Sequence, residues 1–241
     1  MKKIRSHDKL YLKSNRYEKP KETFKLLYRI LKKRLSKTKN YELLDVGCAN
    51  GELLFFLNEQ FSNIKFYGVD IRNDLIKLAR KKLPSDIYLK KFDYNQKKHL
   101  NKKFDIIICS GVISILDNLD IFFKNIKKNM KKNSILFLFG DFNEYDFDII
   151  RTYKDLNSKI TNYQSGWNIW SIKTIKKYFK EKKIVKHPFE IKFDVKQNKK
   201  RVNYTINKQT IDRFKVVADK DMRKMSNIVE NLIRRYVESK V

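Results

Sequence analysis

The sequence predicts an α/β chain: a doubly wound, mostly parallel sheet over most of its length, with a small strand-helix-helix appendage at the C-terminus. Three observations carry this expectation. Short apolar runs that read as buried parallel strands recur, each ending on an acid, a glycine or a small polar residue. Amphipathic helical stretches alternate with those runs, which is the pattern of a sheet wound with crossover helices. After residue 200 the pattern changes to strict alternation followed by two helices with apolar stripes.

Taken in order, residues 1–20 are polar and aromatic with little periodicity, and read either as a disordered arm or as a lid. From Lys21 to Leu35 an apolar face of Phe24, Leu27, Ile30 and Leu31 predicts a helix packed on the sheet. A strand over 42–46, a helix over 51–60, a strand over 64–69 and a helix over 73–82 follow. Pro84 separates that helix from a strand over 87–92. A strand over 104–110, a helix over 119–131 and a strand over 134–140 complete the main pattern. Lys128 to Asn133 reads as a basic helix end and turn, favourable against the negative end of the helix dipole. Ile184 to Asp194 suits a sixth strand. The expected divisions are 1–20 (arm), 21–198 (main domain, with an insert over 141–170) and 201–241 (tail).

The chain is organised around Leu43-Leu44-Asp45-Val46-Gly47-Cys48-Ala49-Asn50-Gly51-Glu52. A buried strand ends on an acid, a turn carries two glycines, and a helix begins. Glycine lets the backbone take positive φ and approach a ligand closely. Asp70 ends the next strand, about 20 residues on, where nucleotide-binding α/β units place a carboxylate on ribose hydroxyls. Asp93 ends the third strand, and Ser110-Gly111 the fourth. Ligands of open parallel sheets bind beyond such carboxyl ends. The G-x-G-x-x-G spacing of dehydrogenases is absent.

These residues resemble the class I S-adenosylmethionine-dependent methyltransferases over about residues 21–194, and the resemblance implies a Rossmann-like sheet with S-adenosyl-L-methionine as cofactor. It implies that Gly47, Cys48, Ala49, Asn50 and Gly51 cradle the methionine part, and that Asp70 holds the ribose. Asp93 with Phe92 or Tyr94 would contact the adenine; Asp45, Ile71 and Ser110 complete the cofactor set. Ala49 stands where a third glycine is common, so the turn is expected to close there without a left-handed residue.

The segment from Asp141 to Trp170 is too long for an ordinary connection and is rich in aromatics. By the same resemblance it forms an acceptor cap, with Tyr145, Trp167 and Trp170 lining the pocket and Tyr11 contributed by the arm; a helical cap with plain aromatic packing is the alternative. A sulfonium is already a good leaving group, so a general base is optional. Candidates are Asp141, Asn143 and Tyr145, with His7 delivered by the arm. His99 and His187 read as surface residues. The Asn/Asp-Pro-Pro-Tyr and Pro-Cys elements of DNA methyltransferases are missing, which disfavours direct DNA methylation. No metal site is expected.

No apolar run reaches the roughly 18 residues of a membrane span, and the first residues lack the apolar core of a signal peptide. Two cysteines form no disulfide pattern, so cytoplasmic residence with reduced thiols is expected. The formal net charge of +29 suits an anionic partner or merely solvated lysine-rich helix faces.

Residues 201–238, strand then helix then helix, resemble the ribbon-helix-helix repressors. The resemblance implies a homodimer whose paired strands present Arg201, Asn203 and Thr205 to bases, with Ser226 at a phosphate. The expected function is an enzyme, a methyltransferase for a small-molecule or carbohydrate-like acceptor. A dimeric DNA-binding regulator and an RNA methyltransferase are the alternatives.

Overall fold

The computed structural model describes residues 11–12, 16–97, 99–154, 156, 163–187 and 211–216. Five parallel strands form the central sheet: β1 (Tyr41–Val46), β2 (Ile64–Asp70), β3 (Tyr88–Lys91), β4 (Phe104–Ser110) and β5 (Met130–Phe139), in the order β3-β2-β1-β4-β5. The order reverses between β1 and β4, so a crevice opens beyond their carboxyl ends.

The side-chain period of two sorts β1 between two cores. Leu43 faces a cluster made with α1 (Glu22–Arg34), α2 (Glu52–Asn58) and α3 (Asn73–Lys82). Leu44 and Val46 face the opposite cluster, made with α4 (Asp120–Lys128) and α5 (Ile172–Tyr178). Helices therefore cover both faces, which is why the strands read as nearly continuous apolar runs. Leu54 and Leu57 of α2 and Phe123 and Ile126 of α4 are fully buried, and each such side chain stabilises the fold by about 1.5–3 kcal/mol relative to an exposed one.

The observed elements follow the expected ones closely, with a correction between α4 and β5. In the basic stretch Lys128 to Asn133, Lys128 does end a helix, but strand and not a turn follows Asn129. α4 stops at Lys128, because Asn129 is fully buried and its side-chain amide donates to the carbonyls of Leu100 and Lys102. Met130 already pairs with Phe104, and Lys131 sits in β5, where its ammonium meets Asp105 at 2.8 Å and Glu42 at 3.3 Å.

Beyond β5 the chain forms β6 (Asp141–Asn143), β7 (Thr152–Tyr153), β8 (Gln164–Ser165) and β9 (Ile169–Ser171). β6 and β9 pair in parallel, β7 and β8 antiparallel. Ser171 caps α5 by accepting the Thr174 N–H at 3.0 Å. The sixth strand expected from Ile184 is not seen over Ile184–His187, which is irregular; its remainder lies outside the described residues. Two compact units divide the chain, 1–189 and 190–241. In the second, residues 211–216 are helical, within the helix expected after Lys208. The strand over 201–206, with Arg201, Asn203 and Thr205, and the helix at Ser226 lie outside the described residues.

Candidate functional site

β1 delivers its chain into a turn held down by β2: the N–H groups of Gly47 and Cys48 both donate to the Val69 carbonyl, at 2.7 and 3.0 Å. Three residues of this turn are left-handed, Gly47 at φ 77°, Ala49 at 49° and Gly51 at 88°. A Cβ on Gly47 would lie 2.4 Å from Val112 Cγ2, and one on Gly51 would lie 2.5 Å from Leu83 Cδ1. A side chain at either position would be strained by the positive φ and would have to displace a neighbouring methyl.

Ala49 overturns the expectation that no left-handed residue stands there. The cause is a bond invisible in local sequence: its N–H donates to Asp70 Oδ2 at 3.0 Å. A left-handed alanine costs about 1–2 kcal/mol, and a hydrogen bond to a buried charge contributes about 1.5–3 kcal/mol. The bond wins. The other Asp70 oxygen accepts the Arg72 N–H at 2.8 Å, while the Arg72 guanidinium grips Asp74 through Nε and Nη2. Asp70 is 8% exposed at the end of β2, oriented by two backbone donors.

Asp45 stands beneath the turn. It is 2% exposed, and its Oδ1 has no hydrogen-bond partner. Burial first, and the Asp70 charge second, push its carboxyl up to about 7. A site holding two buried carboxylates suits a ligand that brings hydroxyls and positive charge. S-adenosyl-L-methionine brings ribose hydroxyls, an ammonium and a sulfonium, so the residues present fit it.

Other expected cofactor residues divide by burial. Ile71 is 41% exposed beside Asp70, and Phe92 and Ser110 are half-buried at their strand ends. Cys48 instead packs its thiol into the α2 and α3 core, so only its backbone belongs to the turn. The Tyr94 ring belongs to the α4 core, and its hydroxyl donates to Asn129 Oδ1 at 3.0 Å. Of the two aromatic neighbours of Asp93, Phe92 is the one left partly exposed. The Asp93 carboxylate accepts the Asn95 N–H at 2.8 Å, shaping its own loop.

The described residues of the arm dock on the turn. Asn50 Nδ2 donates to the Tyr11 carbonyl at 3.2 Å, and the Tyr17 hydroxyl donates to the Asn50 carbonyl. Glu52, 3% exposed at the start of α2, accepts the Arg16 N–H at 2.8 Å, with the Arg16 guanidinium 3.8 Å away. The expectation of a lid singled out Tyr11 but missed Glu52. A carboxylate among apolar residues at a helix start was the available signal. His7 lies outside the described residues.

On the acceptor side, Trp170 packs inward, leaving only an edge to a surface cleft. It is 6% exposed in the α4 and α5 core and donates its indole N–H to the Ile113 carbonyl at 2.9 Å. Asn168 was missed, though it fastens the whole segment. Fully buried, it donates to the Leu116 carbonyl (2.8 Å) and Asp117 Oδ1 (3.1 Å), and accepts the Arg151 N–H (2.8 Å). Tyr145 and Trp167 are exposed at 68% and 49%. The Tyr145 ring stacks on Phe147 at 5.6 Å, and Trp167 meets Tyr153 at 4.7 Å. Trp167 is left-handed at φ 55°, a strained state for a bulky residue. Asn143 accepts the Tyr145 N–H and donates to the Phe147 carbonyl, so its amide shapes a turn. Asp141 is exposed. An open cleft of about 390 Å³ lies between the loop at Asp117–Asp120 and α5, with Trp170 in its wall.

A family model described as a methyltransferase domain matches residues 37–210, a span that runs past the division expected near residue 200. The chain is 26% identical over 99 residues to putative methyltransferase 235L of Invertebrate iridescent virus 6, covering 41% of this chain and 37% of that protein. It is 23% identical over 168 residues to the malonyl-(acyl-carrier protein) O-methyltransferase of Priestia megaterium, covering 67% and 60%. The chain thus spans between 37% and 60% of the length of these two relatives. Among solved structures it is similar to an S-adenosylmethionine-dependent methyltransferase from Clostridium acetobutylicum, at 19% identity and a TM-score of 0.47, covering 72% of this chain and 83% of that one. With the family model matched over well more than half its length, the chain belongs to the methyltransferase-domain family, whose cofactor is S-adenosyl-L-methionine.

Proposed function

We propose that the protein binds S-adenosyl-L-methionine at the Gly47–Gly51 turn and transfers its methyl group to a small-molecule or carbohydrate-like acceptor beyond the carboxyl ends of β4 and β5. The observation that carries this reading is the pair of buried carboxylates, Asp45 and Asp70, at a left-handed turn on the switch point of a parallel sheet. The bound cofactor supplies a methyl on a sulfonium, which leaves readily; the chain supplies position and exclusion of water. Asp70, fixed by the Ala49 and Arg72 N–H groups, has further acceptor capacity for ribose hydroxyls. Asp45 faces the ammonium. Ile71 and Phe92 offer apolar surface to the adenine, and Ser110 lies at its edge.

On the acceptor side, Tyr145 and Trp167 are among the exposed rings, and the strained backbone of Trp167 favours a role in holding the acceptor. With the Asn143 amide spent on its turn, Asp141 is the carboxylate among the expected candidates that can take a proton there. Calorimetry with S-adenosylhomocysteine tests cofactor binding, and methyl incorporation from labelled cofactor into acceptor pools tests transfer. Binding abolished by no change at Asp70, or no incorporation into any small-molecule pool, would contradict the reading.

A second reading concerns the tail, where residues 211–216 are helical inside the expected first tail helix. In this reading the tail is a dimerising, DNA-gripping arm. Light scattering on the full chain and on a chain ending near Lys199 tests it; a full-length monomer at micromolar concentration excludes it.

A further inference from the structure

Asp45 is a buried acid whose ionisation the transfer step does not use. It is in register with Gly68 of β2 and Ile108 of β4, so all three share one face of the sheet. Asp70, two residues after Gly68, shares that face as well. The surroundings there are apolar: a Cβ built on Gly68 would touch Leu54, Leu89 and the Cys48 thiol within 2.9 Å.

The titratable groups coupled to Asp45 from the packed elements are Asp70 of β2, whose charge raises it, and the thiols of Cys48 in the turn and Cys109 of β4, which the Asp45 charge raises in turn; all are acids. The charged groups close by on other elements have carboxylates of their own: Arg16 pairs with Glu52 of α2, and the Arg72 guanidinium holds Asp74 of α3 through Nε and Nη2. Among the described residues no lysine or arginine bonds Asp45, and its Oδ1 has no partner at all. Two carboxylates on one dry face do not both ionise cheaply, since the second charge meets both desolvation and repulsion.

We propose that the Asp45–Asp70 pair carries one proton in the free protein and releases it to solvent when the cofactor's ammonium enters, so that cofactor binding is coupled to proton release. This rests on the reading that the turn binds S-adenosylmethionine. The balance is simple: one carboxylic O–H ionises, the proton goes to buffer, and the new carboxylate faces the incoming cation. Burial and the neighbouring Asp70 charge, which hold the free Asp45 carboxyl near 7, place the effect in the neutral range.

The test is calorimetry of S-adenosylhomocysteine binding to the full chain at pH 6.5, in buffers of low and high ionisation enthalpy. The expected result is an apparent enthalpy that varies linearly with buffer ionisation enthalpy, its slope reporting net proton release. Affinity should also rise with pH, approaching tenfold per unit below about pH 6 and levelling above about pH 8. Asp45→Asn should remove both dependences. Binding with the same enthalpy in every buffer overturns the proposal and leaves the cofactor site standing, as does proton release that persists in Asp45→Asn. No binding in any buffer overturns both. Should Asp45→Asn fail to fold, the buffer series on the unaltered protein decides alone.

Discussion

The Ala49 N–H donates to Asp70 Oδ2 at 3.0 Å, joining residues 21 apart in the chain. One bond thus sets two things: the left-handed backbone of the glycine turn, and the direction of the carboxylate at the end of β2.

Asp70→Ala should therefore lose more than one contact to the ribose. Each hydrogen bond to a charged group contributes about 1.5–3 kcal/mol, so S-adenosylhomocysteine affinity should fall at least tenfold. Calorimetry reads it directly. Unchanged affinity would remove Asp70 from the site.

Ala49→Gly relieves a left-handed alanine, worth about 1–2 kcal/mol, against an unfolded-state entropy cost of about 0.5–1 kcal/mol. The expected outcome is stability equal to that of the unaltered protein or up to about 1 kcal/mol higher, measured by denaturant unfolding. A clear loss would show that the Ala49 methyl is itself packed.

Asp45 makes the free protein's stability depend on pH with a definite sign. Its carboxyl is raised from 3.8 to about 7 on folding, chiefly by burial. Between those values the folded chain holds a proton that the unfolded chain has lost, so stability falls as pH rises through that window, by up to about 1.4 kcal/mol per pH unit. Asp45→Asn should flatten this dependence and be the more stable form at pH 8. Parallel curves of melting temperature against pH for the two proteins would refute it.

Asn168→Ala strips three side-chain bonds, two that tie the acceptor-side segment to the loop after β4 and one that holds Arg151 within the segment. Leaving buried groups unpaired costs about 1–3 kcal/mol each, so a loss of at least 2 kcal/mol is expected in unfolding experiments. Proteolysis should attack residues 141–167 first, with cofactor affinity little changed. Cofactor and segment lost together would mean that the two are one cooperative unit.

Tyr17→Phe deletes the hydroxyl that donates to the Asn50 carbonyl. The arm should then be cleaved faster by trypsin after Arg16, and cofactor affinity should drop by about fivefold, the equivalent of about 1 kcal/mol. Equal cleavage rates in the two proteins would detach the arm from the cofactor turn.

The sequence by itself determined the order and type of the main elements. Leu43 and Leu44 fall in opposite cores because side chains alternate along a strand, and the α4 face of Phe122, Phe123 and Ile126 follows the helical period. Gly47 and Gly51 were legible for a local reason as well, since both take positive φ, which glycine adopts without steric cost. What only the tertiary structure decided depends on partners distant in the chain. Ala49 turns left-handed because Asp70 arrives beside it. The indole of Trp170 and the ring of Tyr94 go to the core because Ile113 and Asn129 accept their polar ends. Asn129, not helix propensity, ends α4. Asp45 is singled out by what surrounds it on three strands. Local period and turn chemistry are written in neighbouring residues, whereas the fate of a polar atom is settled by whichever distant group folding brings within hydrogen-bond reach.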